Sequence, residues 1–119
     1  MNYIESIDEL EMFYNDLTRE GCIGGSHPLR KISELCLSIC LLADSSRILP
    51  SFVLSTIFSN IALNQEERPV TTDECKELYN LLNDSIEMVI GDLKEPSSDK
   101  VLVRNIEKLI SDYCKRFKP

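Results

Sequence analysis

The Gly-rich segment at residues 21–28 contains the two side chains best suited to covalent chemistry. His27 is the only histidine, and Cys22 lies five residues before it, so a cysteine–histidine nucleophile pair would use these two residues. Such a pair also needs a group that orients the base, and the sequence supplies none. His27 precedes a proline, whereas a phosphorelay histidine is expected in the middle of a helix. We therefore predict that the protein is not an enzyme and has no catalytic residues.

The other candidate ligands lack the spacing of a metal site. Cys36 and Cys40 share one face of a predicted helix, but leucines and isoleucines surround them, which is typical of core thiols. No Glu-x-x-His motif and no phosphate-binding loop occurs in the sequence. Neighbouring acids occur where carboxylates complement a helix dipole, or in a loop: Asp8/Glu9, Asp73/Glu74 and Glu66/Glu67. We predict no metal and no cofactor.

The turn Gly24-Gly25-Ser26 has two interpretations. With Arg30 and Lys31 beyond it, the turn could bind an anion at a helix N-terminus. Alternatively it is an ordinary connection, in which Ser26 caps the next helix and Pro28 occupies its first turn.

Acidic side chains recur along the outer face of the predicted fourth helix. None of them has a Lys or Arg four residues later, which would reduce like-charge repulsion. A second acidic group lies on the predicted first helix. A solvated helix face is the alternative, but we predict that these acids bind a partner: Asp73, Glu77, Asp84 and Glu87 on the fourth helix, and Glu9, Asp16 and Glu20 on the first.

The net charge of −7 is unevenly distributed. Residues 1–28 carry six acids against one base, and residues 66–99 carry ten acids against three bases. Residues 100–119 have the opposite balance, with six bases and two acids. An acidic surface disfavours nucleic acid and anionic membranes and favours a basic protein partner.

An uncharged stretch at residues 48–65 is the predicted centre of the fold. Its large apolar residues occupy most sides of a helical wheel, and such a helix is stable only when other elements surround it. They are Phe52, Val53, Leu54, Ile57, Phe58, Ile61 and Leu63. Pro50, Ser51 and further polar residues make the stretch unsuited to a membrane span, so we predict a core helix with Pro50 near its start and no membrane contact.

Four further helices are predicted around this one. The first runs from Ile7 to about Glu20, with a capping box at Ser6-Ile-Asp-Glu9 and Gly21 as its stop. The second covers residues 29–44, the fourth starts at the capping box Thr71-Thr-Asp-Glu74, and the fifth covers residues 99–117 after the break Glu95-Pro-Ser-Ser-Asp99. The predicted buried face of the fifth helix is Leu102, Val103, Ile106, Leu109, Ile110, Tyr113, Cys114 and Phe117. We predict an all-α, compact single-domain bundle of about five helices around a central apolar helix, spanning residues 1–119.

Cysteine usage predicts the compartment. The five cysteines are an odd number without the dense spacing of a disulfide framework. The chain opens without a basic and apolar signal segment. We therefore expect free thiols and a cytoplasmic location.

The chain resembles the small cytosolic immunity proteins of bacterial toxin systems, including contact-dependent growth inhibition. The resemblance rests on its size, its helicity, its negative charge and the acids named above. The resemblance implies a tight, electrostatically steered complex in which the acidic protein blocks a basic nuclease toxin.

Two other classes of binding protein remain as alternatives. A helical adaptor with a groove in the manner of Bcl-2-like folds would bind an amphipathic partner helix. A type III secretion chaperone would also be small and acidic, but such chaperones usually mix strands with helices, and no alternating strand pattern is present.

Overall fold

Five amphipathic or apolar stretches of the chain form five α-helices in a computed structural model that describes residues 1–95 and 98–117. They are α1 (Tyr3–Leu17), α2 (Ser26–Leu42), α3 (Ser45–Glu67), α4 (Thr72–Lys94) and α5 (Asp99–Arg116). Helices cover 83% of these described residues, which contain no strand. The predicted all-α class and the compact five-helix bundle are therefore confirmed.

Every helix contributes apolar side chains to a single core. α3 packs against α2, α4 and α5. Ile57, Phe58 and Ile61 of α3 are 4%, 0% and 0% exposed, as predicted. Full burial of each such side chain contributes about 1.5–3 kcal/mol, so α3 is a main source of stability.

The prediction that α3 is enclosed on nearly all sides is only partly correct. Leu49 and Phe52 are 62% and 53% exposed, and Ile48 and Leu63 are also exposed. The three helices that pack against α3 leave its outer side uncovered, because α2 and α5 are not in contact with each other. By length and composition alone, α3 is the one helix of the described chain that could cross a membrane, and core helices pass the same test.

The start and end of α1 differ from the prediction. Asn2 is the N-cap, and its Oδ1 accepts a hydrogen bond from the Glu5 N–H at 2.9 Å. Ser6 is not a cap; it is buried, and its hydroxyl donates to the Asn2 carbonyl at 2.9 Å. The helix ends at Leu17: the Thr18 N–H and hydroxyl bond to the Tyr14 carbonyl, and beyond Thr18 the N–H groups of Arg19 and Gly21 bond only three residues back.

The starts of α2 and α3 also differ. Gly25, with φ of 97°, precedes α2, and Ser26 is the first residue of the helix instead of its cap. α3 begins at Ser45, before the predicted stretch at residues 48–65, so Pro50 lies inside the helix. Because proline has no N–H, Pro50 cannot donate the usual helical hydrogen bond to the carbonyl of Ser46.

The predicted starts of α4 and α5 are confirmed, and each helix follows a side-chain cap. Thr71 Oγ1 accepts from the Glu74 N–H, and Ser98 Oγ accepts from the Val101 N–H, both at 3.2 Å. Pro96 and Ser97, which belong to the predicted break between these helices, lie outside the described residues.

The predicted buried face of α5 is wrong at two positions. Val103 and Ile110 are exposed, whereas Asn105 and Asp112 are buried. The reason is that α5 turns these two polar residues toward α4. There Asn105 bonds to Asp92 at 2.6 Å, and Asp112 accepts a hydrogen bond from Ser85.

Candidate functional site

The four acids predicted on the fourth helix lie together on the outer side of α4. Asp73, Glu77, Asp84 and Glu87 are all exposed, and we call them the acidic face of α4. The opposite side of the helix is buried in the core through residues such as Leu82 and Ile86. The helical period of 3.6 residues therefore places these acids where the sequence predicted them.

One member of the acidic face is neutralised by another helix. Glu77 Oε2 lies 3.3 Å from Arg116 Nη1 of α5. The same arginine approaches Glu74 Oε2 at 3.7 Å, and Arg68 Nη2 lies 3.1 Å from that oxygen. This buried oxygen has no hydrogen bond among the described residues, so its contact with the arginines is electrostatic. Local charge spacing did not predict the Glu77 pair because Arg116 is far away in sequence.

The other three acids of this face, Asp73, Asp84 and Glu87, form no ion pair with any described residue. Lys94 of α4 is directed to α1, where its Nζ lies 3.2 Å from Asp8 Oδ1 and 3.2 Å from Glu11 Oε1. The hydrogen bonds to Asp8 and Glu11 raise the pKa of Lys94. The outer side of α4 therefore keeps a local excess of negative charge.

The acidic face continues onto α1 at one edge. Glu87 and Glu11 line a common cavity of about 280 Å³ together with Tyr14 of α1. The Tyr14 hydroxyl donates to Asn83 Oδ1 at 2.8 Å. Burial raises the pKa of Tyr14 well above its usual range, and the charges of Glu87 and Asp84 add to this effect. Glu11, which also pairs with Lys94, thus lies beside the acidic face of α4, although the sequence did not single it out.

The acids predicted on the first helix lie elsewhere. Asp16 pairs with Arg19 at 2.8 Å, Glu20 is exposed, and Glu9 is half-buried. At 3.6 residues per turn, Glu9 and Asp16 lie on the side of α1 away from Glu11, and Glu20 lies beyond the end of the helix. The structure therefore brings Glu11 to the acidic face of α4, but not Glu9, Asp16 and Glu20.

The polar groups of the Gly-rich loop bond to side chains of α3. The Gly25 N–H donates to Gln65 Oε1 at 2.9 Å, and Gln65 Nε2 donates to the Ile23 carbonyl at 3.1 Å. Arg30 makes two hydrogen bonds to the Glu66 carboxylate, at 2.5 and 2.6 Å, which lower the pKa of Glu66. The Gly25 N–H and the Arg30 guanidinium are thus engaged with side chains of α3 instead of being directed at an anion.

The cysteine–histidine pair is not assembled. The Cys22 thiol contacts the Glu20 carbonyl at 3.9 Å, and His27 is exposed at the start of α2. No hydrogen bond joins the two side chains. Within the described residues, no cluster of histidine, cysteine and acidic side chains could hold a metal ion.

A feature that the sequence did not predict is an apolar groove between α3 and α5, which we call the α3–α5 groove. It has a volume of about 420 Å³. Its walls are Leu49 and Pro50 of α3 and Leu102, Val103, Ile106 and Ile110 of α5, with Ser46, Asp99 and Glu107 at its edges. The sequence held one sign of this groove. The apolar residues of α5 span a wider arc of the helix than α4 alone can cover.

No protein-family model, curated protein or solved structure matches this chain significantly. Functional inference therefore rests on an all-α bundle that presents two distinct surfaces, the acidic face of α4 and the α3–α5 groove.

Proposed function

We propose that this protein is a small binding protein that inhibits a basic protein partner by forming a direct complex through the acidic face of α4. In its most specific form, the proposal is an immunity protein that neutralises a nuclease toxin. The observation that carries it is the exposure of Asp73, Asp84 and Glu87 without an ion pair among the described residues.

Uncompensated carboxylates on one helix repel each other. Like charges one turn apart, such as Asp84 and Glu87, destabilise a helix by about 0.2–0.5 kcal/mol per pair. A basic partner surface removes this repulsion, and the field of the acids accelerates its approach within a screening length of about 8 Å at physiological salt.

A nuclease is a suitable partner on chemical grounds. A surface that binds phosphates is rich in Lys and Arg. A protein that covers this surface with carboxylates blocks substrate access and gains steering at the same time. The proposal places the protein in the cytoplasm, where thiols such as the buried Cys36 stay reduced.

The test starts with capture of partners from the source cell by the wild-type protein and by Asp84→Lys/Glu87→Lys. The matched control is Glu34→Lys/Glu67→Lys, which makes the same charge change at exposed acids of α2 and α3 that have no ion pair among the described residues. Association rates with the captured partner are then measured at low and at high salt. We expect the α4 variant to associate more slowly, with a flatter salt dependence, while the control stays close to wild type.

The second readout is inhibition. If the partner is a toxin, its expression alone arrests growth, and co-expression of the wild-type protein or of the control restores it. The α4 variant restores growth less well. An unchanged association rate and salt dependence for the α4 variant would show that the acidic face is only a solvated surface.

A further inference from the structure

We propose that the α3–α5 groove is a second binding surface, which docks an amphipathic helical segment of a protein partner with a Lys or Arg beside its apolar side. This surface is distinct from the acidic face of α4 and does not depend on the function proposed above.

The groove is bordered by exposed apolar side chains. Leu49 is 62% exposed, Val103 53% and Ile110 41%. About one turn further along α3, Phe52 is also exposed, and Leu41 of α2 is 89% exposed. Exposed apolar surface of this extent, next to a groove, marks an interaction site more often than free solvent contact. The pattern indicates that a partner covers this end of the bundle.

The dimensions of the groove fit a helix. Its lining residues on α5 run from Asp99 to Ile110, with further members at Leu102, Val103 and Ile106. At 1.5 Å per residue this stretch is roughly 16 Å long, or about three helical turns. Apolar residues at i, i+3, i+4 and i+7 of a second helix would follow the same line.

The charge of the groove indicates the chemistry of its occupant. Its only charged lining residues are Asp99 and Glu107, and neither forms an ion pair or a side-chain hydrogen bond within the described chain. Asp99 and Glu107 also line an adjoining hollow with Lys100 and Arg104, but these two bases do not line the groove and form no ion pair with either acid. Two unpaired carboxylates at the border of an apolar groove favour a partner that brings a base, and they disfavour an anionic lipid surface.

The test uses two synthetic helical peptides, labelled with a fluorophore, with leucines at i, i+3, i+4 and i+7. One peptide has lysines beside the leucines, and the other has glutamates at the same positions. Fluorescence anisotropy is measured with wild-type protein, Val103→Asp, Glu107→Lys and Val101→Asp. Val101 is the matched control, because it is an exposed valine of α5 that does not line the groove.

We expect the wild-type protein to bind the lysine peptide at least about tenfold more tightly than the glutamate peptide. Val103→Asp should weaken binding by about tenfold or more, because it places a charge in the apolar wall, and Val101→Asp should have little effect. Glu107→Lys should reduce or invert the preference between the peptides. Asp84→Lys/Glu87→Lys should leave peptide binding unchanged, which separates this proposal from the previous one.

Three results would overturn the proposal. The first is no saturable binding of the lysine peptide up to about 1 mM. The second is equal loss of binding in Val103→Asp and Val101→Asp, with both variants folded by circular dichroism. The third is a wild-type dimer in sedimentation velocity that Val103→Asp dissociates, since a second copy of the chain would then occupy the groove.

Discussion

Asp112 is the residue where the fold depends most directly on ionisation. Its carboxylate is buried between α4 and α5, accepts a hydrogen bond from the Ser85 hydroxyl, and lies 2.9 Å from Lys108 Nζ and 3.1 Å from Lys115 Nζ. Burial raises the pKa of Asp112, but the bonds from Ser85, Lys108 and Lys115 together outweigh it and lower the pKa to about 2. The cluster therefore links α5 to α4 through the Ser85 hydroxyl and is strongest while Asp112 is ionised.

This lowered pKa gives a signed prediction. Because the pKa in the folded state is below that in the unfolded chain, the stabilisation is present above pH about 4 and is lost as the pH falls toward 2. With screening by solvent at the exposed lysines, the contribution is roughly 1–2 kcal/mol. Urea unfolding at pH 6, 4 and 2.5 should show that Asp112→Asn is less stable than wild type at pH 6 and that the difference shrinks at pH 2.5. A constant difference across this range would contradict the account.

Gly24 lies so close to α4 that the packing leaves no room for a side chain. A Cβ at this position would lie 2.6 Å from Cys75 Sγ of α4, whereas a Cβ at Gly91 meets nothing within 4 Å. We expect Gly24→Ala to lower the free energy of unfolding by about 1–3 kcal/mol. Most of that loss should disappear when the same change is made in Cys75→Ala. Gly91→Ala, the control within α4, should instead stabilise by about 0.5–1 kcal/mol.

At the level of elements, α3 has a buried side and an exposed side. One phenylalanine lies on each side. Phe58 is 0% exposed and contacts the ring of Tyr14 at a centroid distance of 5.9 Å, whereas Phe52 is 53% exposed. Phe58→Ala should cost about 3–5 kcal/mol of unfolding free energy. Phe52→Ala should cost no more than about 0.5 kcal/mol. Equal losses in urea unfolding would show that α3 has no preferred buried side.

The sequence predicted the helices well because periodicity and caps are local properties. The stripe of α4 and its cap at Thr71 were readable from the chain alone, and so was the burial of Phe58. The exposure of Val103 was not, because it depends on which helix packs against which side of α5. The pairing of Glu77 with Arg116 was hidden for the same reason, since the two residues meet only in the folded bundle. Surfaces formed by one helix were thus predictable, and surfaces formed between helices were not.

On the scale of the whole molecule, charge is segregated along the chain and partly balanced across helices. Acids predominate in residues 1–28 and 66–99, and bases in residues 100–119. Ion pairs between helices, such as Lys94 with Asp8 and Arg116 with Glu77, use some of these charges. The excess that remains on the acidic face of α4 is a cost to the free protein, because self-repulsion disfavours the compact state.

This cost leads to a prediction about the free protein that needs no partner. Asp84→Lys/Glu87→Lys should raise the free energy of unfolding at low salt by roughly 0.3–1 kcal/mol, because it removes the repulsion between these two acids, one turn apart, and between Glu87 and Glu11. The gain should fall in about 1 M salt, where charges are screened beyond about 3 Å. Urea unfolding at both salt concentrations measures this, with Glu34→Lys/Glu67→Lys as the control for net charge alone. If the acidic face is kept for binding, the α4 variant should gain more unfolding free energy than the control. Equal gains in the two variants would mean that only the net charge of −7 matters.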